Sequence, residues 1–108
     1  MEKVKVVYSK EVIDFLSDLM EILYVKDYFG FMDSAIKYVI DLVHEIDTTI
    51  ANKPQKIAPN YFSKYGKGLC YSIFKKNNNT TWYVFFNYEN DIYYIRYIGN
   101  NHNISQYL

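Results

Sequence analysis

The amino-acid sequence predicts an α+β domain in which a helical hairpin packs on one face of a small, mostly antiparallel sheet. Three observations predict this class: a β-branched run near the amino terminus, two amphipathic helical patterns in the first half, and three aromatic-rich strand patterns in the second half. The predicted order is β-α-α-β-β-β, with the helices segregated to one face of the sheet. A chain of 108 residues has the usual length of one domain, so residues 1–108 are assigned to a single domain.

The amino-terminal half begins with a predicted strand that leads directly into a helix. Residues 4–8 are mostly β-branched and end at Ser9, a residue type that caps helix N-termini. Glu11 follows in the first turn, where the helix dipole favours an anion. Apolar residues then recur at three- and four-residue spacing, which predicts one buried helix face. This first stripe consists of Val12, Ile13, Leu16, Leu19, Met20 and Leu23.

A second helix is predicted after Gly30, which interrupts the apolar pattern. Asp33 or Ser34 is the predicted N-cap, and the helix is expected to end before Pro54. Two helices joined by a short turn form an αα-hairpin. The second apolar stripe consists of Ala35, Ile36, Val39, Ile40, Val43, Ile46 and Ile50.

The carboxy-terminal half changes from a loop to strands. Residues 51–66 contain both prolines and show no periodicity, which predicts a basic loop. Beyond them the chain is rich in Tyr, Phe, Val and Ile, which predicts three strands at 69–75, 80–88 and 91–98.

Short polar stretches separate these strands. Residues 77–79 are three asparagines and residues 89–90 are Glu-Asn, and both are typical of hairpin turns. Residues 99–108 are predicted to form a short polar tail.

Composition excludes several classes of protein. Half of the residues are apolar and the formal net charge is zero, which excludes disorder, and Cys70 has no second cysteine with which to pair. No run approaches the ~18 apolar residues of a membrane span, and the charged amino terminus is unlike a signal peptide. No metal-ligand spacing or phosphate-binding glycine motif is present. We therefore expect a cytoplasmic protein with no cofactor, no metal and no membrane partner.

Charge is divided unequally between the two halves. Residues 1–52 carry five lysines against ten acidic residues, a net charge of −5, whereas residues 53–108 carry seven basic residues against two acidic ones, a net charge of +5. The basic half also contains nine of the thirteen tyrosines and the single tryptophan. Basic and aromatic residues together are typical of nucleic-acid binding. The alternative is that tyrosine-rich strands are kept soluble by surface lysines.

Four stretches resemble the RelE/ParE toxin superfamily of bacterial type II toxin–antitoxin modules. Residues 6–9 are similar to its first strand and helix entry, and residues 64–71 to its lead into the central hairpin. Residues 82–86 resemble a strand that often reads Tyr-Arg-Val-Val-Tyr, and residues 95–102 resemble a last strand that commonly ends in a basic residue or His. The predicted element order in this length is also similar, so the resemblance covers essentially the whole chain.

The resemblance implies a toxin that is held inactive by a cognate antitoxin protein. RelE-like members cut mRNA on the ribosome without a metal, whereas ParE-like members inhibit DNA gyrase, and the shared fold does not choose between them. The first expectation is therefore a ribosome-dependent mRNA endonuclease. A gyrase inhibitor and a non-catalytic protein- or RNA-binding domain are the alternatives, which gain weight because residues 82–86 lack the arginine common in the family.

Metal-free RNA cleavage defines the candidate site residues. It needs a base for the 2′-hydroxyl, cations for the pentacovalent phosphate and an acid for the leaving 5′-oxygen. His102 is the candidate acid or base, Arg96 and Lys67 are the candidate electrostatic stabilisers, and Tyr107 is a candidate for stacking or proton transfer. The lysines expected to bind RNA are Lys64, Lys75 and Lys76.

These candidates have competing structural interpretations. Strand alternation predicts that Arg96 shares a face with Ile92, Tyr94 and Ile98, which would turn its side chain toward a core. His102 follows two asparagines and is also typical of a surface turn. The position of Arg96 in the sheet is therefore the observation on which the predicted site most depends.

Overall fold

A computed structural model describes residues 4–25 and 32–108 and shows an α+β domain built on a five-stranded mixed sheet. The strands are β1 (Lys5–Tyr8), β2 (Lys56–Ile57), β3 (Cys70–Lys75), β4 (Thr81–Glu89) and β5 (Ile92–Asn100). Their order across the sheet is β1-β5-β4-β3-β2, and β1 runs parallel to β5 while the other neighbours are antiparallel. The α+β class is therefore confirmed.

Two long helices cover one face of this sheet. They are α1 (Lys10–Val25) and α2 (Met32–Thr49). Neither of them, among the described residues, combines the length and the apolarity that crossing a bilayer would demand. The core between this helical layer and the sheet is aliphatic on the helices and partly aromatic on the strands. It includes Val12, Leu16, Leu19, Val39, Leu42, Ile46, Phe74, Trp82, Val84, Phe86, Ile95 and Ile98.

The junction of β1 and α1 agrees with the sequence pattern. The backbone N–H of Val12 donates to the Ser9 hydroxyl oxygen at 3.2 Å, so Ser9 caps the helix. The Ser9 N–H in turn donates to the Ile95 carbonyl at 3.0 Å. The start of α1 is thereby attached to the middle of β5.

The helix predictions need two corrections. Because α2 already begins at Met32, Asp33 and Ser34 lie in its first turn rather than at its N-cap. Ile13 and Ile40 belong to the predicted apolar stripes but are 53% and 55% exposed, because they lie at the sides of their helices and not toward the sheet. The predicted break at Gly30 lies outside the described residues.

The second face of the sheet is covered by segments that the sequence pattern assigned to a loop and a tail. Residues 51–66 contain β2 and a 3₁₀ segment, Asn60–Tyr65, and the tail contains the short helix α3 (Asn101–Ile104). Phe62 from the 3₁₀ segment and Ile104 from α3 are both buried. They form a second core with Leu69, Tyr71 and Phe85. The loop and tail predictions failed because isolated aromatic and aliphatic anchors produce no periodic pattern.

Both predicted strand turns are present, with shifted boundaries. The β4–β5 turn consists of Asn90 and Asp91, whose φ angles of +52° and +64° suit a two-residue hairpin turn. Asp91 is therefore a turn residue and not the first residue of a strand. In the β3–β4 turn, the Asn77 side-chain oxygen accepts the backbone N–H groups of Asn79 and Thr80, both at 2.8 Å.

Candidate nucleic-acid interface

A bulge in β5 decides where Arg96 lies. Phe85 pairs with Tyr97 and Phe86 pairs with Ile95, so Arg96 is the extra residue between two paired positions. Ile95 packs in the core beneath the helices, whereas Tyr97 packs on the opposite face. Arg96 is exposed on the face of Tyr97. The expectation from simple alternation, that Arg96 shares a face with Ile98, is therefore corrected by the bulge.

The side chain of Asn87 connects Arg96 to the Lys67 loop. Its Oδ1 accepts the Arg96 Nε–H at 3.2 Å, and its Nδ2 donates to the Lys67 carbonyl at 3.0 Å. The Arg96 side chain also passes beside Gly66, where a Cβ on the glycine would lie 3.7 Å from the Arg96 Cγ. Asn87, which the sequence pattern does not single out, thus joins the side chain of Arg96 to the backbone of Lys67.

A cleft of about 450 Å³ opens beyond the carboxyl end of β1. One side is the start of α1, with Ser9, Glu11 and Phe15, and the other side contains Lys64 and Arg96. We call this cavity the basic cleft. Its remaining lining residues are Val12, Tyr65, Tyr97 and Ile98. The cleft exists because β1 ends at Tyr8 while β5 continues to Asn100, which leaves the last part of β5 without a strand on that side.

Four tyrosines form a cluster next to the basic cleft. The rings of Tyr65 and Tyr97 are stacked with centroids 3.9 Å apart, and the rings of Tyr61 and Tyr107 are stacked at 3.6 Å. The Lys64 ammonium lies 4.0 Å from the centroid of the Tyr61 ring and 5.4 Å from that of Tyr65. The predicted site residue Tyr107 does not line the basic cleft. Its ring stacks on Tyr61, which in turn contacts Lys64, a residue that does line the cleft.

Charge and burial shift the pKa values of this cluster. The Lys64 ammonium, and after it the Tyr107 hydroxyl, lower the pKa of Tyr61 by stabilising its anionic form. The same contact with Tyr61 raises the pKa of Lys64 and keeps that side chain cationic. The Tyr61 hydroxyl also raises the pKa of Tyr107. Burial raises the pKa of Tyr97 to about 12, and the neighbouring Tyr65 adds to that shift.

The cations of this region have no carboxylate partners within the described residues. The ion pairs found there are Lys10–Asp14 and Lys37–Asp41, each within one helix. Lys64 and Arg96 contact tyrosine rings or an amide oxygen instead. Their positive charges are therefore not paired with a carboxylate within the described residues and are available to an anionic ligand.

Three predicted residues lie away from the basic cleft. Lys75 ends β3 and is paired with Thr81, next to the β3–β4 turn. The Lys76 ammonium lies 5.1 Å from the Tyr38 ring, on the helical side of the molecule. His102 lies in α3, where its exposed side chain does not line the cleft. Three strand residues separate Arg96 from Asn100, the N-cap of α3, and these four residue steps span about 13 Å of extended chain.

Three residues of the site are not among the predicted site residues. Glu11 was interpreted as an anion favoured by the helix dipole, yet it also lines the basic cleft. Asn87 had no signal, because its role depends on two backbone segments that meet only in the sheet. Tyr65 lies in the predicted basic loop and in the stretch 64–71 that resembles the family, but it is not a predicted site residue. The sequence signal that could have identified Tyr65 is its position between two lysines in the motif of residues 64–67.

Comparisons were made with protein-family models, with curated proteins and with solved structures, and none of the three found a match to this chain.

Proposed function

We propose that this protein binds RNA in the basic cleft and acts as a ribosome-dependent mRNA endonuclease, the toxin of a toxin–antitoxin pair. The observation that carries the proposal is that Lys64 and Arg96 line one cavity without carboxylate partners among the described residues, while Asn87 joins Arg96 to the backbone of Lys67. A scissile phosphate and its neighbours are the ligand that such a pair of cations suits, because each cation can contact a different phosphate oxygen.

The RelE/ParE-like arrangement is part of this proposal. Support comes from the parallel β1–β5 pair, the antiparallel β3-β4-β5 meander and the two helices on one face. The short helix α3 after β5 lies where the resemblance implies a basic residue or His. A shared fold supports a family and does not by itself support an activity, so the cleft carries the functional argument.

The chemistry proposed for the cleft is cleavage by the neighbouring 2′-hydroxyl. The Glu11 carboxylate accepts the 2′-hydroxyl proton, the 2′-oxygen bonds to phosphorus, and the bond from phosphorus to the 5′-oxygen breaks. Arg96 and Lys64 stabilise the extra negative charge of the pentacovalent phosphate. The departing 5′-oxygen takes a proton from the Tyr65 hydroxyl, so the products are a 2′,3′-cyclic phosphate and a 5′-hydroxyl.

Glu11 is preferred to His102 for the base because of geometry. Glu11 lines the same cavity as Arg96 and Lys64, whereas His102 is not among the residues that line it. A general base must come within hydrogen-bond reach of the proton that it removes. In this proposal His102 and Lys75 extend the RNA contact toward the β3–β4 turn, and Tyr107 positions Tyr61 and Lys64.

The partner proposed for the basic cleft in the inactive state is the cognate antitoxin. The half of the chain that contains Lys64, Lys67 and Arg96 has a net charge of +5, which suits an antitoxin segment rich in acidic residues. Binding should then weaken as salt increases. An affinity that is the same at low and high salt would contradict this contact.

The test is a cleavage assay with the purified full-length chain on ribosomes programmed with a defined mRNA, read by primer extension. We expect cuts in ribosome-bound mRNA that decrease by about 100-fold or more in Arg96→Ala and in Glu11→Gln, the loss typical of an essential stabiliser or base. Lys76→Ala is the matched control, because Lys76 is a lysine on the helical side of the molecule. It should cut at the wild-type rate.

Two outcomes would overturn the proposal. In the first, wild-type protein leaves ribosome-bound mRNA intact while it stops supercoiling by DNA gyrase, which would support the gyrase inhibitor instead. In the second, Arg96→Ala and Lys76→Ala reduce cleavage equally, which would place the chemistry outside the basic cleft. His102→Ala separates the two candidate bases: if its loss exceeds that of Glu11→Gln, the imidazole is the base.

A further inference from the structure

We propose that the groove between α1 and α2 is a docking site for a cationic amphipathic helix of a partner protein. The groove has a volume of about 310 Å³ and lies on the helical layer, with Tyr8 also lining it. Its walls are apolar and come from both helices. The residues that define them are Ile13, Leu16, Met20, Val39, Ile40 and Val43.

Two of these residues are exposed to an extent that is uncommon for isoleucine. Ile13 is 53% exposed on α1 and Ile40 is 55% exposed on α2, and both line the groove. Isoleucine is among the residue types most often fully buried, and contiguous apolar patches on a surface commonly mark interaction sites. A partner that binds in the groove would bury both isoleucine side chains, which the two helices leave exposed.

The net charge of the two helices that form the groove determines the chemistry of the occupant. Helices α1 and α2 carry eight carboxylates and two lysines, a net charge of −6. Both lysines are bonded to a carboxylate one turn away in the same helix, Lys10 to Asp14 at 3.3 Å and Lys37 to Asp41 at 2.6 Å. The other six carboxylates have no cationic partner within the described residues. The complementary ligand therefore combines aliphatic side chains with Lys or Arg.

The same charge argues against the other occupants of an apolar groove. A second copy docked groove to groove would bring two helical layers of −6 together, and like charges across an interface oppose association. Nucleic acids and anionic lipid surfaces are repelled for the same reason. A helix is the shape that suits a groove between two helices, with anchors at positions i, i+3, i+4 and i+7.

The test uses the full-length chain and a synthetic peptide as the probe. The peptide is an 18-residue, fluorescein-labelled sequence of Leu and Lys, with Leu at i, i+3, i+4 and i+7 spacing. One control peptide has the same composition in scrambled order, and a second replaces every Lys with Glu. Binding is measured by fluorescence anisotropy at 50 and 500 mM NaCl.

The protein variants are Ile13→Gln and Ile40→Gln, which keep a good helix former at an exposed position. Ile22→Gln is the matched control, because Ile22 is an exposed isoleucine of α1 that does not line the groove. Glu21→Gln and Glu89→Gln form a second matched pair, since Glu21 lies on α1 and Glu89 ends β4. Circular dichroism checks that all variants are folded.

The expected result is saturable binding of the patterned Lys peptide that is at least about tenfold tighter than binding of the scrambled peptide. Ile13→Gln and Ile40→Gln should each weaken it by about tenfold, and Ile22→Gln should not. Glu21→Gln should weaken it more than Glu89→Gln, and high salt should weaken it in every case. RNA cleavage by Ile40→Gln should equal that of wild type, because the groove is separate from the basic cleft.

Three results would overturn the proposal. If the patterned and scrambled peptides bind equally well, the protein attracts them by charge alone and does not recognise an amphipathic helix. Equal loss in Ile22→Gln and Ile40→Gln would show that the groove is not the site. Light scattering that finds a wild-type dimer, which becomes a monomer in Ile40→Gln, would identify the occupant as a second copy.

Discussion

The two faces of the sheet differ in what covers them and in the charge that they present. One face is covered by α1 and α2, whose aliphatic stripes pack on Phe74, Trp82 and Val84. The other is covered by a 3₁₀ segment and the carboxy-terminal tail, which contribute Phe62 and Ile104. The helical face is acidic and its lysines are paired within their helices, whereas the second face has cations without carboxylate partners in the described part of the chain.

The regular and the irregular layers therefore present different kinds of surface. The regular helical layer buries its stripe and leaves a shallow apolar groove. The irregular layer cannot repeat a contact along a helix, so it holds its segments with a few large aromatic anchors. Irregular backbone can direct neighbouring side chains toward one point, and the basic cleft lies where this layer meets the start of α1.

The largest expected effect tests whether the second face is a true core. Phe62 and Phe74 are both fully buried, on opposite faces of the sheet. We expect Phe62→Ala to lower the free energy of unfolding by about 3–5 kcal/mol, because it removes a buried ring and leaves a cavity. Phe74→Ala should lower the free energy of unfolding by a similar amount, and urea denaturation measures both values. If Phe62→Ala lowers the free energy of unfolding by less than about 1 kcal/mol while Phe74→Ala lowers it by more, the 3₁₀ segment contributes little to the stability of the fold.

The next effect concerns the packing of α3, in the carboxy-terminal tail, against the sheet. A Cβ on Gly99 would lie 2.9 Å from the Ile104 Cδ1 and 3.1 Å from the Tyr97 Cε2. We expect Gly99→Ala to push α3 away from the sheet and to lower the free energy of unfolding by about 1–3 kcal/mol, the usual effect of overpacking. Hydrogen exchange should increase at residues 101–107 and stay unchanged in α2. Faster exchange in α2 instead would contradict two independently packed faces.

A smaller effect is expected from the residue that joins two parts of the site. Asn87→Ala removes the hydrogen bonds to Arg96 and to the Lys67 carbonyl, so Arg96 should lose its fixed position. We expect RNA affinity to fall by about tenfold and the free energy of unfolding to fall by about 1 kcal/mol. Filter binding with a short RNA measures the first. Asn103→Ala, an exposed asparagine of α3, is the control and should bind RNA like wild type.

The last effect appears only at alkaline pH. Burial raises the pKa of Tyr97 to about 12 from its ordinary value of 10.0, so the folded protein retains this proton longer than the unfolded chain does. The stabilisation is fully present below about pH 10 and is lost as the pH rises toward 12.

Tyr97→Phe removes this titration. The free energy of unfolding of wild type, relative to Tyr97→Phe, should be constant from pH 7 to about 10 and should then decline. Urea denaturation at a series of pH values measures the difference. If the free energies of unfolding of wild type and Tyr97→Phe change in parallel up to about pH 11.5, the result would contradict a Tyr97 hydroxyl buried against Tyr65.

Much of the regular structure was predictable from local pattern. The Ser9 cap, the core positions Leu16 and Val39, and the strand character of residues 82–86 follow from the sequence because each depends on neighbours within a few residues. The RelE/ParE resemblance and the endonuclease function that it implies stay predictions, and the experiments above test them.

The candidate site was predictable only in part. Lys64 and Arg96 are predicted site residues because they are basic residues of the carboxy-terminal half, and both line the basic cleft. Lys76 was selected by the same reasoning, yet its side chain lies on the opposite face, over Tyr38. Charge and residue type indicate which side chains can bind an anion but not toward which face of the sheet they turn.

The sequence by itself determined the α+β class, the two helices and the separation of charge between the halves, because periodicity and composition act over short stretches of chain. Only the tertiary structure decided that Arg96 faces outward. That outcome depends on the bulge between its two paired neighbours and on the Asn87 amide across the sheet. A single extra residue in a strand reverses the face of every side chain beyond it, and pairing across strands, rather than local pattern, determines where that residue lies.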